Sequence, residues 1–212
     1  MKRRELIRGG ACTAAMCGAF PSWAATAPQE SAESRLATAL RARLGQPDWL
    51  QGEFEQSKQV QGFKKPLLSR GDFVIARGRG VVWSTRTPFA SELKLTRNQM
   101  EATQGGAPTL RMDSQREPAL RVVNEMMFAL LGGDIGALSQ LFVLEGEVVG
   151  ERAWRITLVP RQAAWRQVLQ SIDLTGERHV REVRIVESAG DETKIRFSAL
   201  KESAPVPATV FD

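Results

Sequence analysis

Between Phe54 and Phe89 the apolar residues fall at every second position, punctuated by turn-forming Gly and Pro: Phe54, then Gly62-Phe63 and Lys65-Pro66-Leu67, Gly71-Asp72-Phe73, Gly80-Val81-Val82-Trp83, and Thr87-Pro88-Phe89. A period of two places alternate side chains on opposite faces of a strand, and the short spacings between runs leave room only for hairpins. The stretch therefore predicts long, neighbouring antiparallel strands with one apolar face. That face carries no reactive group, so it is suited to binding rather than to catalysis.

The same rhythm extends in both directions. Leu50 and Phe54 share one face of a run from Leu50 to Val60, with Gln51, Glu53 and Glu55 on the other; Phe73 and Ile75, Val81 and Trp83, and Leu93 and Leu95 repeat the arrangement, with shorter pieces at Met100 and Leu110 to Met112. Upstream, Leu36, Leu40 and Leu44 recur every fourth residue from Ser31 and stop at Gly45 and Pro47, which predicts an amphipathic helix with one narrow buried side. Pro118 to Leu131 breaks the strand rhythm: Pro118 suits a first helical turn, Gly132-Gly133 an end, and Asp134 a cap for a second helix through Leu141. Only Arg121, Asn124 and Glu125 interrupt its apolar circumference. Strand signals resume at 142–149, 154–158, 168–174, 180–186 and 193–199, with turns expected at 173–176 and 189–191.

Residues 1–24 differ from the rest. Lys2, Arg3, Arg4 and Arg8 form a basic head, Gly9 to Phe20 a modestly apolar stretch, and Ser22-Trp23-Ala24 a small-x-small cleavage signal, so an export signal peptide is expected at 1–24 and one folded domain at 25–212. Arg3-Arg4 also fits a twin-arginine leader; an ordinary secretory leader is the preferred reading, and Cys12 and Cys17 lack the aliphatic residue of a lipoprotein anchor site. Without residues 1–24 the 29 Lys+Arg and 24 Asp+Glu become 25 and 23, and the net charge falls from +5 to about +2. Charges of both signs are interleaved, which argues against a nucleic-acid partner. Both cysteines lie in the leader, so the processed chain forms no disulfide. The one histidine, His179, reads as a solvent-facing strand residue, and no metal cluster, cofactor site or Cys/His or Ser/His/Asp mechanism can be assembled around it. Glu53 and Glu55 read as a solvated face, and the glycines of Gly78-Arg79-Gly80 and Gly105-Gly106 as tight turns. The chain is not expected to be an enzyme.

What remains is a surplus of apolar surface. Trp49, Phe73, Trp83, Phe89 and Met126-Met127-Phe128 are each compatible with ordinary core, but one sheet face plus a helix apolar on nearly every side exceeds what a single packing contact consumes. The fold expected is mainly β with α: a curved antiparallel sheet forming an unclosed, half β-barrel around a cavity, covered by a movable helical lid. Methionines suit a lid that must accept flexible chains.

The pieces Phe54-x-Gln56-x-Lys58, Gly62-Phe63, Lys65-Pro66-Leu67, Gly71-x-Phe73, Gly80-Val81-Val82-Trp83, Pro88-Phe89 and Trp154-x-Ile156-x-Leu158-x-Pro160 resemble the LolA family, periplasmic carriers of outer-membrane lipoproteins, and within it a LolA-like subgroup with a shortened C-terminus. The resemblance spans most of Leu36 to Leu200. It implies a monomeric periplasmic protein that takes the acyl chains of lipoproteins or other lipids from an inner-membrane donor transporter and delivers them to an outer-membrane acceptor. The lipid-binding residues expected are Leu50, Phe54, Phe73, Ile75, Trp83, Phe89, Leu93 and Leu95, covered by Met127, Leu130 and Leu131. Arg77, six residues before Trp83, matches the family arginine that contacts the lid, with Gly78 standing where the family has proline. A second reading is a periplasmic lipid-sensing or protein-interaction module that transports nothing.

Overall fold

Ser31 starts the first helix by accepting a hydrogen bond from the Ser34 amide at 3.1 Å, and Glu33 and Arg41 complement the dipole at the two ends of α1 (Ala32–Arg41). The computed structural model describes residues 31–113, 126–129, 133–202 and 211. The leader, residues 118–125 of the long apolar segment, and Leu130 and Leu131 lie outside the described residues.

Among the described residues eleven strands form one antiparallel sheet. The first meander is β1 (Trp49–Gln59), β2 (Leu67–Ala76), β3 (Gly80–Thr87), β4 (Ser91–Thr96), β5 (Gln99–Gln104) and β6 (Ala107–Asp113). A helical turn at 126–129 (α2) and a short helix, α3 (Ile135–Leu141), lead into the second meander, which comprises β7 (Phe142–Val149), β8 (Ala153–Pro160), β9 (Leu169–Gly176), β10 (Val180–Glu187) and β11 (Glu192–Glu202), with α4 (Ala163–Arg166) between β8 and β9. Asp134 caps α3 by accepting from the Ala137 amide at 3.0 Å. The two meanders join where β11 pairs with β1, giving the order β6-β5-β4-β3-β2-β1-β11-β10-β9-β8-β7. No described strand pairs with the outer edges of β6 and β7, so the sheet is an open half-barrel rather than a closed one.

Register carries the alternation across the sheet. Leu50, Ile75, Val81, Leu95, Met100 and Met112 lie side by side on β1 to β6, and Ile185, Ile172, Leu158 and Leu144 do the same on β10 to β7. These rows share the concave face, where Ala37, Leu40 and Leu44 around α1, Ala129 of α2, and Ile135 and Leu138 of α3 join them in one core. The opposite face is polar: Arg184 bridges Asp173 at 2.9 Å and Glu192 at 2.7 Å, Arg70 meets Glu55 at 3.0 Å, and Arg86 meets Asp72 at 3.2 Å. Such exposed pairs contribute little stability individually, and their role is to keep this face in water.

Two sequence expectations are corrected. Asp173 to Gly176 is the end of β9 rather than a turn, because Leu174 is buried between Val183 and Ile156; the chain reverses at 177–179. His179 is not a solvent-facing strand residue. Its side chain is 12% exposed in that reversal, and its Nε2 lies 2.8 Å from Glu202 Oε1. Two features sharing this end of the sheet explain its burial. The Gly45 amide donates to the Arg178 carbonyl at 2.7 Å, drawing the chain that leaves α1 onto the reversal, and Trp154 fills the space beside Gly176, its indole N–H donating to the Glu177 carbonyl at 2.6 Å.

Candidate functional site

The middle of the concave face is an aromatic floor. Phe54 on β1 sits opposite Gly71 of β2 on one side and Phe197 of β11 on the other, while Phe73 sits opposite Trp83. A Cβ on Gly71 would fall below 3.0 Å from the Ser84 carbonyl oxygen and 2.8 Å from Phe54 Cε1. The missing side chain lets the Phe54 ring lie across β2 and stack on Trp83, two strands away, with centroids 3.9 Å apart and planes inclined by 26°. Gly52 has the same role under Phe73, whose Cε1 would be 3.0 Å from an added Cβ. Phe197 closes the group edge-on, 5.1 Å from Phe73 and 6.1 Å from Trp83. Glycines covered by cross-strand aromatics keep the rings flat on the backbone and the sheet curved over them.

The expected binding residues divide clearly by position. Leu50, Phe54, Phe73, Ile75 and Leu95 are buried together on the concave face, and Trp83 beside them is partly exposed. Leu93 is half-buried in the row formed by Phe73, Trp83 and Ala102. Met127 is half-buried and packs against this core with Met126 and Phe128. Phe89 stands apart: it is 71% exposed in the β3–β4 turn. Arg77 donates to Gln46 Oε1 at 3.0 Å and to the Pro47 carbonyl at 3.4 Å, with Asp48 Oδ1 3.6 Å from its Nε, so its described partners belong to the α1–β1 connection rather than to α2. Phe197 was not singled out from the sequence. Its signal is present, as Ile195 and Phe197 alternate like Phe73 and Ile75, but its place beside Phe54 depends on a pairing across 143 positions.

Hollows among the described residues lie away from this floor as well. An apolar cavity lined by Met126, Leu141, Phe142, Pro160, Gln162 and Trp165 has about 10 Å³, room for roughly one water. The larger hollows, of about 470 Å³ beside Glu147, Arg155 and Asp173 and about 260 Å³ beside Glu55, Arg70 and Arg196, are lined by charged side chains of the outer face. The floor itself presents rings and aliphatic groups, which offer dispersion and dehydration with no directional bonding and no proton to transfer.

Besides the ion pairs of the outer face, each end of the half-barrel carries a charged cluster. At the end holding the β1–β2 and β10–β11 turns, Lys58 Nζ lies 2.9 Å from Glu187 Oε1 and 3.6 Å from Asp191 Oδ2, and hydrogen bonding to Glu187 raises the Lys58 pKa. At the opposite end burial lowers the His179 pKa from its ordinary value, against the pull of Glu202, and hydrogen bonding to Arg178 lowers that of Glu202. Among the described residues no group of three or more His, Cys, Asp or Glu side chains is arranged to hold a metal ion, and no helix is long and apolar enough to cross a membrane.

Residues 47–212 match the family described as outer membrane lipoprotein carrier protein LolA. Among solved structures, a DUF1329 family protein from Desulfovibrio piger superposes with a TM-score of 0.52 at 12% identity, covering 84% of this chain and 95% of that one, a likeness of fold. A LolA superfamily protein from Nitrosomonas europaea superposes with a TM-score of 0.44 at 11% identity, covering 86% and 97%. Among curated proteins, none matches the chain.

Proposed function

This chain belongs to the LolA family of outer membrane lipoprotein carrier proteins, and on that premise we propose that it carries the acyl chains of lipoproteins or other lipids against its concave face. The observation that carries this reading is the floor of Phe54, Phe73, Trp83 and Phe197, in a core against which the methionines of α2 also pack. In the proposed cycle, 1–24 directs export and is removed, the domain 25–212 works as a periplasmic monomer, and cargo passes from an inner-membrane donor to an outer-membrane acceptor.

Met126, Met127 and Phe128 pack against the core, so in this reading they move before a chain enters. All three are half-buried, so lifting them off the core costs about half of the 1.5–3 kcal/mol of a fully buried side chain each, or roughly 2–5 kcal/mol. An acyl chain of ~16 carbons buries ~15 methylenes at about 0.8 kcal/mol each, roughly 12 kcal/mol. After the freedom lost on association, about 4 kcal/mol or more, is also subtracted, the balance favours binding by several kcal/mol only, so a carrier built this way holds its cargo and still releases it. Because the walls offer no directional bond, selectivity among acyl chains is low.

Native mass spectrometry of the exported protein, followed by extraction of what it carries, tests the reading. Bound acylated lipid is expected, and it should be lost in Trp83→Glu and Phe73→Glu while circular dichroism shows the sheet retained. Unchanged lipid loading in both folded variants would remove the concave face as the site. A stable protein partner with no lipid would favour an interaction module instead.

A further inference from the structure

The β1–β2 hairpin is built unlike the rest of the surface. The last β2–β3 pair is Arg70 with Thr87, so Leu67, Leu68 and Ser69 are paired with β1 alone and the hairpin projects ~10 Å past β3, at about 3.3 Å per residue. Its tip is held in shape: Gln59 Nε2 donates to the Phe63 carbonyl at 2.6 Å, the Phe63 amide to the Val60 carbonyl at 3.0 Å, and the Gln61 amide to Asp191 Oδ1 at 2.9 Å. On this braced tip Phe63, Leu67 and Leu68 are 62%, 56% and 63% exposed. Phe89 of the β3–β4 turn and Val168, whose carbonyl accepts from the Ser188 amide at the β10–β11 turn, are exposed at the same end. Among the described residues, five of the seven exposed large hydrophobic ones thus share one end of the sheet, which is hard to reconcile with a surface that only faces water.

The charges complete the pattern. Lys64 and Lys65 lie between the apolar residues of the tip, exposed and with no hydrogen bond or ion pair among the described residues. The nearby acids are already engaged: Glu187 and Asp191 by Lys58, Glu55 by Arg70, and Asp72 by Arg86. The free charge of the tip is therefore positive. A preshaped loop of large apolar side chains flanked by unpaired lysines matches the headgroup layer of a bilayer, which accepts apolar groups to a depth of ~5–10 Å and attracts cations through anionic lipids.

The geometry points to this end of the half-barrel as a docking surface for anionic membrane, with Phe63, Leu67 and Leu68 entering the headgroup layer and Lys64 and Lys65 contacting lipid phosphates. Leu67 pairs with Lys58 and shares the side of the sheet that holds Phe54 and Phe73. Docking would thus bring one end of the concave face to the lipid surface. The surface stands on its own observations, whether or not acyl chains are carried.

Flotation of the leader-free chain with phosphatidylcholine vesicles, with and without phosphatidylglycerol, tests the inference at low and high salt. Binding to the anionic vesicles is expected, weakened by salt, and reduced more than tenfold in Phe63→Ser/Leu68→Ser. Lys64→Gln/Lys65→Gln should weaken it roughly fivefold per lysine removed. Val149→Ser, at the opposite end, should bind as the parent does. These side chains are exposed, so unchanged thermal melts are expected to accompany the losses. Absence of binding to either vesicle overturns the inference, as would happen if the hairpin served a protein partner. Equal binding by parent and Phe63→Ser/Leu68→Ser overturns it too, whereas loss of binding in Trp83→Glu alone would place the contact in the concave face.

Discussion

Replacing Gly71 by alanine tests whether the aromatic floor depends on that one missing side chain. The added Cβ would meet the Ser84 carbonyl oxygen below 3.0 Å and Phe54 Cε1 at 2.8 Å. The first neighbour is backbone, fixed by the β2–β3 ladder, and cannot turn aside. Either β2 and β3 separate locally or the strand rotates, a strain of about 1–3 kcal/mol for overpacking a filled interior. The second neighbour is the ring stacked at 3.9 Å on Trp83, and displacing it forfeits a further ~0.5–1.5 kcal/mol of aromatic pairing. The expected loss is about 2–4 kcal/mol, a large part of a stability of ~5–15 kcal/mol. With a urea slope of about 2 kcal/mol per molar, the unfolding midpoint of the leader-free chain should fall by about 1–2 M. Gly62→Ala is the control: its φ is +87° and an added Cβ meets nothing within 4 Å, so only the left-handed backbone is penalised, by about 1 kcal/mol. A midpoint shift for Gly71→Ala no larger than that for Gly62→Ala would refute the steric account of the floor.

Other perturbations address the ends of the fold. Asp134→Ala removes the acceptor of the Ala137 amide and should lower stability by about 1 kcal/mol in urea titration, with Asp134→Asn recovering most of it. For His179, burial favours the neutral ring, so its folded pKa lies below the 6.5 of the unfolded chain; the stability it contributes is complete above pH 6.5 and is lost as the pH falls from there through the folded value. Melting temperatures should therefore decline below pH 6.5, and His179→Gln should flatten that part of the profile; a decline that persists unchanged in the variant would show that other groups cause it. Glu202, its pKa lowered chiefly by Arg178, contributes stability above the ordinary 4.5 that is lost as the pH drops through its folded value, so its effect is read in a more acidic window.

Legibility from sequence followed the range of the interactions. The strands were readable because burial of one face imposes a period of two on each strand by itself: the 142–149 run and Phe142–Val149 coincide, and the run from Leu50 to Val60 differs from β1 by one residue at each end. Ser31 and Asp134 announced their helices through caps that involve residues three positions away. Asp173 to Gly176 misled because Asp, Thr and Gly favour turns locally, while Leu174 is claimed by two neighbouring strands. The four-residue helix α4 has too little periodicity to register. His179 was misplaced because its burial is made by Glu202 and by the chain leaving α1, neither of which is near it in sequence.

The same distinction bears on how a carrier of this design could open. The floor is held by long-range register: Phe54 meets Phe197 only because β1 pairs with β11, and it reaches Trp83 only across Gly71. Moving any ring away would break a ladder shared by both halves of the sheet, so the floor is the costly part to deform. The covering side chains of α2 are only half-buried and belong to no ladder. Cargo entry under the proposed function therefore goes through displacement of the cover, and affinity becomes sensitive to how well Met126, Met127 and Phe128 pack on the core. Met127→Ala should accordingly tighten acyl-chain binding by weakening the closed state, while Trp83→Ala should weaken it by removing floor area. Opposite signs for the two truncations, measured by fluorescent fatty-acid titration, are what separates a movable cover over a fixed floor from a pocket whose walls all act alike.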